Sequence, residues 1–174
     1  MESQCGGMPN PFLETDFEIR WSQLTPEHIG PAIRQALVDA QAAVDAIAVQ
    51  ALATLTFEST FLALERATEP LTQAWGKVTH LQSVADSPAL REAHNALLPE
   101  VSAFYARIPL NAALWDRLKA FASTPAASAL TGISRRFLDE TVADFRQQGA
   151  DLSQEKRARL EALQSELAQL TQTY

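Results

Sequence analysis

The sequence predicts an all-α protein, a bundle of about six helices paired as antiparallel hairpins. Apolar residues recur every three or four positions along most of the chain, and the Val, Ile and Thr alternation that marks strands is absent. After residue 7, glycine occurs only at Gly30, Gly76, Gly132 and Gly149. With 174 residues, 47% of them hydrophobic, the chain can bury one sizeable core.

Residues 1–16 carry no periodic pattern and hold Cys5, Gly6, Gly7, Pro9, Asn10 and Pro11, so they read as a flexible tail ahead of a single helical domain over 17–174. The first helix is expected over 26–52. Thr25 stands as its N-cap and Pro26 as its first residue, where a missing N–H costs nothing. Leu24 and Ile29 are spaced for a hydrophobic staple, and Ile29, Ile33, Leu37, Ala40, Val44, Ile47 and Ala51 share one face. Pro31, inside this pattern, predicts a late start.

A second helix over 57–85 aligns Phe57, Phe61, Leu64, Thr68, Leu71, Trp75 and Val78, with a kink expected at Pro70. The third, over 88–107, opens at Ser87-Pro88 and aligns Leu90, His94, Leu97, Val101, Phe104 and Ile108. Such spacings suit long helices packed side by side. Shorter helices over 111–122 and 126–148 follow, the latter opened by Thr124-Pro125 and closed by Gly149 in the left-handed conformation. Ser123 to Ser128 is rich in small residues and reads partly as loop.

The last helix, over 153–174, carries Leu160, Leu163, Leu167, Leu170 and Tyr174 as one stripe, with no Gly, Pro or basic last turn to stop it. The stripe predicts a longer polypeptide or a helix that docks on a partner, self-association through these five residues included.

Composition narrows the function. A net charge of −7 and the lack of any long Lys and Arg run argue against nucleic acid and anionic membrane surfaces as partners. The apolar stretch from Ala42 to Ala53 is broken by Asp45 and Gln50, well short of the roughly 20 residues of a membrane span. Met1 to Pro11 lacks the charged start and apolar run of a secretory signal, so a cytoplasmic location is the expectation. A lone Cys5 permits no internal disulfide and no cysteine-based zinc cluster, and a flexible segment offers it no oriented base.

The three histidines are His28, His80 and His94, and none has another four residues away, so the HExxH zinc motif is absent. The reversed HxxEH spelling fails too, because Leu24 stands where a histidine would be needed ahead of Glu27-His28. His80 and His94 could meet across a hairpin with Glu92, but two imidazoles without a third ligand make a poor zinc site. A helix-end role for His80 and a hydrogen-bonded place on an apolar face for His94 explain both. Ser83, Ser87 and Ser102 lie nearby without a Gly-x-Ser-x-Gly elbow. Glu155, Glu161 and Glu166 alternate with Lys156, Arg157 and Arg159 as solvated-face pairs, and Trp21, Trp75 and Trp115 read as packing residues rather than a ligand cage. No residue is assigned a catalytic, cofactor-binding or metal-binding role.

Two stretches go beyond composition. Leu24-Thr25-Pro26-Glu27-His28-Ile29-Gly30-Pro31-Ala32-Ile33 and the longer His80-Leu81-Gln82-Ser83-Val84-Ala85-Asp86-Ser87-Pro88-Ala89-Leu90-Arg91-Glu92-Ala93 resemble the N-terminal region of the thimet oligopeptidase and oligopeptidase A family of zinc metallopeptidases. Gly149-Ala150-Asp151-Leu152 and the helix after it form a third, weaker match. The resemblance runs from about Phe17 to the end. It implies a helical, non-catalytic wall of a deep channel that admits short peptides in a cytoplasmic endopeptidase. It also implies that zinc and its ligands lie in a C-terminal catalytic domain outside this chain, so no zinc ligand is carried over. A stand-alone helical protein-interaction module is the other reading.

Overall fold

A computed structural model describes residues 10–172; Cys5 and Tyr174, both singled out above, lie outside the described residues. Seven α-helices and no strand occur among the described residues: α1 Pro26–Ala48, α2 Ala63–Val84, α3 Pro88–Arg107, α4 Ala112–Ala122, α5 Pro125–Ser128, α6 Gly132–Gln147 and α7 Gln154–Gln172. The bundle is built around α1, which packs most extensively on α2 and also touches α3 and α4. Ile29, Ile33, Val44 and Ile47 of α1 are all buried, each contributing roughly 1.5–3 kcal/mol through removal of its side chain from water.

Helix α1 runs through Pro31 instead of starting there. A residue before proline is pushed out of the helical region by its own Cβ and N–H against the ring, and Gly30 has no Cβ to clash. The Thr25 hydroxyl meets Nδ1 of His28 at 2.9 Å rather than capping an amide. The cap expected at Ser87 does form, accepting from the Leu90 N–H, and Asn111, which the sequence did not mark, accepts from the Leu114 N–H.

The second expected helix begins with a π-turn, Glu58–Leu62, in which the Leu62 N–H bonds the Phe57 carbonyl at 3.1 Å. This wider turn brings Phe57 and Phe61 together onto Phe121 of α4, at centroid distances of 6.5 and 6.0 Å. α2 then continues unbroken past Pro70. The connection before it is pinned from α4, where Arg117 donates to the Gln50 carbonyl at 3.1 Å.

The helix expected over 126–148 is two helices. Thr124 does cap, accepting from the Ala127 N–H, but what it starts is the single turn α5. The chain breaks after Ser128 and restarts at Gly132, whose φ is 58°. The end of α6 follows the expectation at Gly149, with φ 100°. The Gly149 N–H bonds the Arg146 carbonyl and the Ala150 N–H bonds the Phe145 carbonyl, the paired bonds of a Schellman motif.

Residues 10–14, placed in the tail by sequence, are docked on the bundle. Asn10 caps a 3₁₀ turn, Pro11–Leu13, that packs on both α1 and α2 with Phe12 buried. Helix α7 turns back to pack chiefly on α3 rather than on its sequence neighbour α6, among the described residues.

Candidate functional site

The histidines are not brought together. His80 of α2 lies against Trp21, with ring centroids 4.9 Å apart and tilted. His94 of α3 is buried and stacks on Trp75, also at 4.9 Å but nearly parallel, while its Nδ1 meets Asn95 Oδ1 at 3.2 Å. Each imidazole serves as a flat aromatic surface for a different tryptophan. Ser83 donates to the Thr79 carbonyl one turn back, and Ser87 is occupied as a cap. Among the described residues no three His, Cys, Asp or Glu side chains are grouped to hold a metal ion. The described donors therefore do not fit a zinc site.

Trp115 is buried among the helices. Its ring stacks on Phe145 at 5.7 Å, and its Nε1 donates to Asp151 Oδ1 at 2.9 Å. The other carboxylate oxygen of Asp151 pairs with Arg146 at 3.3 Å, and that guanidinium lies 5.9 Å from the Trp115 centroid. This explains the Gly149-Ala150-Asp151-Leu152 stretch: the glycine turns the chain, Ala150 is buried, and Asp151 satisfies an indole N–H that would otherwise be stranded.

Sequence reasoning missed Lys77. It sits on the buried face of α2 between Ala74 and Val78 and is only 7% exposed. Its ammonium donates to the Phe12 carbonyl at 3.0 Å and to the Glu14 carbonyl, so it holds residues 12–14 against the bundle. Burial pushes its pKa below the ordinary lysine value, and the charges of Glu14 and Asp16 partly oppose that. One signal was available: Lys77 follows Ala74 by three residues on a face that is otherwise apolar. The docked turn had a signal as well, since Asn10-Pro11 repeats the cap-and-proline pairing of the longer helices.

Helix α7 is a further surface feature. None of its described side chains is buried. Leu160 is half-buried, and Leu163, Leu167 and Leu170 are 44, 63 and 54% exposed. Two shallow depressions sharing Gln41, Phe104 and Arg107 run between α1 and α3, and one of them reaches Glu161 of α7. No helix of the described residues is long and apolar enough to cross a membrane.

Comparison with known proteins bears on this helical surface. Oligopeptidase A of Haemophilus influenzae is 28% identical over 167 residues, covering 96% of this chain and 24% of that protein. Oligopeptidase A of Escherichia coli is 30% identical over 168 residues, again 96% and 24%. The organellar oligopeptidase A of Arabidopsis thaliana, chloroplastic or mitochondrial, is 26% identical over 166 residues, 95% of this chain and 21% of that one. The chain thus spans about a quarter of the length of the relatives it matches. Residues 33–157 match the family described as neurolysin/thimet oligopeptidase, N-terminal domain. That match covers most of the helical bundle, and the chain belongs to this family of N-terminal domains.

Proposed function

We propose that this chain is the non-catalytic N-terminal domain of an oligopeptidase A-like zinc metallopeptidase, forming part of a channel wall that limits access to short peptides. The family match over residues 33–157 carries the reading. Two structural features support it: His80 and His94 are committed to tryptophan contacts and His28 to the Thr25 hydroxyl, and the bundle offers a helical surface instead of a reactive cleft. On this reading zinc and the catalytic groups belong to a C-terminal domain, which is the principal partner of the chain, and short peptides are the substrates of the whole. A cytoplasmic location is part of the proposal. One Arabidopsis relative is named as a probable cytosolic oligopeptidase A, while another is named as organellar.

The test is a chimera in which this chain replaces the matching quarter of the Escherichia coli protein. It is expected to cleave a short quenched peptide and to spare a folded protein carrying the same cleavage sequence. Cleavage of both substrates alike would contradict a size-limiting role. The leucines exposed on α7 favour a second reading, a stand-alone interaction module or self-associating chain, in which the same stripe meets a separate protein. A chimera that folds but neither binds zinc nor cleaves the short peptide would favour it.

A further inference from the structure

The segment from Asn10 to Gln23 and helix α2 border a surface pocket of about 590 Å³, with Asp16, Phe17, Ile19, Trp21, Gly76 and Lys77 in its lining. That volume suits a small ligand or one peptide side chain. Its lining shares no residue with the α1/α3 depressions and includes none from α7.

Its outer wall is set in place by the fold itself. Lys77 holds the Phe12 and Glu14 carbonyls, Asn10 Nδ2 donates to the His28 carbonyl at 2.9 Å, Phe12 is buried, and Trp21 rests on His80. A wall fixed beforehand spares a ligand the entropy of ordering it. The rim leaves aromatic surface in water, since Phe17 is fully exposed and Trp21 is 40% exposed. Exposed apolar surface grouped around a concavity marks an interaction site.

Gly76 is the third observation. It lies in the middle of α2, where glycine weakens a helix, yet a Cβ built there would meet nothing within 4 Å. The chain's own packing does not call for glycine at this position. Its effect is to leave backbone open to close approach from the pocket.

The charged groups set the polarity of the ligand. Arg20 pairs with Glu14 at 2.9 Å but reaches Asp16 only at 3.8 Å, and the Asp16 side chain is 72% exposed. Lys77 spends its ammonium on backbone carbonyls. Asp16 is therefore the carboxylate best able to receive a cation from a ligand.

We infer that this pocket binds the apolar N-terminal residue of a peptide, its side chain against Gly76 between Phe17 and Trp21 and its α-ammonium on Asp16. The inference rests on the pocket alone and stands whether or not the proposed channel role is correct.

The probe is L-phenylalaninamide titrated into the full chain, followed by NMR at the Trp21 indole N–H and the residue 76 amide. Both signals are expected to shift saturably. N-acetyl-L-phenylalaninamide, which lacks the ammonium, should bind about fivefold more weakly, and glycinamide should leave both signals in place. Gly76→Leu fills the space and should abolish the shifts at the Trp21 indole while melting no lower than the parent. Should leucine disturb folding, Trp21→Ala read at the residue 76 amide supplies the same test. Asp16→Asn should erase the difference between the free and acetylated probes. Absence of saturable shifts at these two positions, equal binding of the acetylated probe, or undiminished binding after Gly76→Leu or Trp21→Ala would overturn the inference.

Discussion

The indole N–H of Trp115 and the carboxylate of Asp151 meet at 2.9 Å across 36 positions of sequence, joining α4 to the turn between α6 and α7. Trp115 is only 2% exposed, so nothing else in the pairing replaces water for its N–H. Asp151→Ala strands that donor and releases Arg146, and should destabilise the chain by about 1–3 kcal/mol. Asp151→Asn keeps an acceptor oxygen and should recover most of the loss. Urea unfolding midpoints of the three proteins decide this; equal midpoints for the parent and Asp151→Ala would show that the bond contributes nothing.

Gly149 and Gly76 should respond in opposite directions to the same substitution. At Gly149 the φ of 100° disfavours any side chain, and a Cβ would approach Leu160 Cδ2 at 2.8 Å and Leu152 Cδ1 at 2.9 Å. Gly149→Ala should cost about 1–3 kcal/mol. At Gly76 the helix gains from alanine and the space is open, so Gly76→Ala should add up to about 1 kcal/mol. Thermal melts of the two variants check the contrast, and a shift of the same sign in both would refute it.

Lys77 should leave a mark on the pH dependence of stability. Its pKa is lowered in the folded chain from the ordinary 10.5, mainly by burial, so the unfolded state binds the proton more tightly. Stability contributed through Lys77 therefore rises with pH between the lowered folded value and 10.5, and is least below both. Lys77→Met should remove that rise. It should also cost about 1–3 kcal/mol at neutral pH by stranding the Phe12 and Glu14 carbonyls. A gap in stability between the two proteins that does not widen as pH rises through the alkaline range toward 10.5 would contradict the assignment.

The leucines of α7 should matter to association more than to folding. Leu163→Asp and Leu170→Asp each replace a side chain about half exposed, and should change stability by no more than about 0.5 kcal/mol. Sedimentation velocity should show the parent chain associating with concentration and the double variant less so. A monomeric parent at every concentration would remove self-association from the proposed roles of this face.

Much of the bundle was legible because helix starts are written in short, local chemistry. Thr25-Pro26 and Ser87-Pro88 mark the starts of α1 and α3, and the stripe from Leu90 to Phe104 is buried throughout. The same signal misled at Thr124-Pro125, because a cap starts a helix without fixing its length, and Thr131-Gly132 restarts the chain seven residues later. The π-turn at Glu58–Leu62 was invisible to a helical period, since an inserted residue disturbs the pattern only where aromatic partners on α4 reward it. Lys77 and the docked Phe12 were missed for one shared reason: a buried ammonium makes sense only beside the carbonyls that receive it, and those come from a segment without periodicity. Family resemblance was carried by His80 to Ala93, a stretch whose residues mostly shape a helix–turn–helix and whose His80 rests on Trp21. It pointed to the right domain while offering no active-site residue to place.

On the proposed function, the catalytic chemistry belongs to a domain outside this chain. The most direct measurement is hydrolysis of a short quenched peptide by the purified 174-residue protein over a range of zinc concentrations. No zinc-dependent turnover is expected, with His80→Ala and His94→Ala indistinguishable from the parent. Turnover that follows added zinc and disappears in either histidine variant would contradict it.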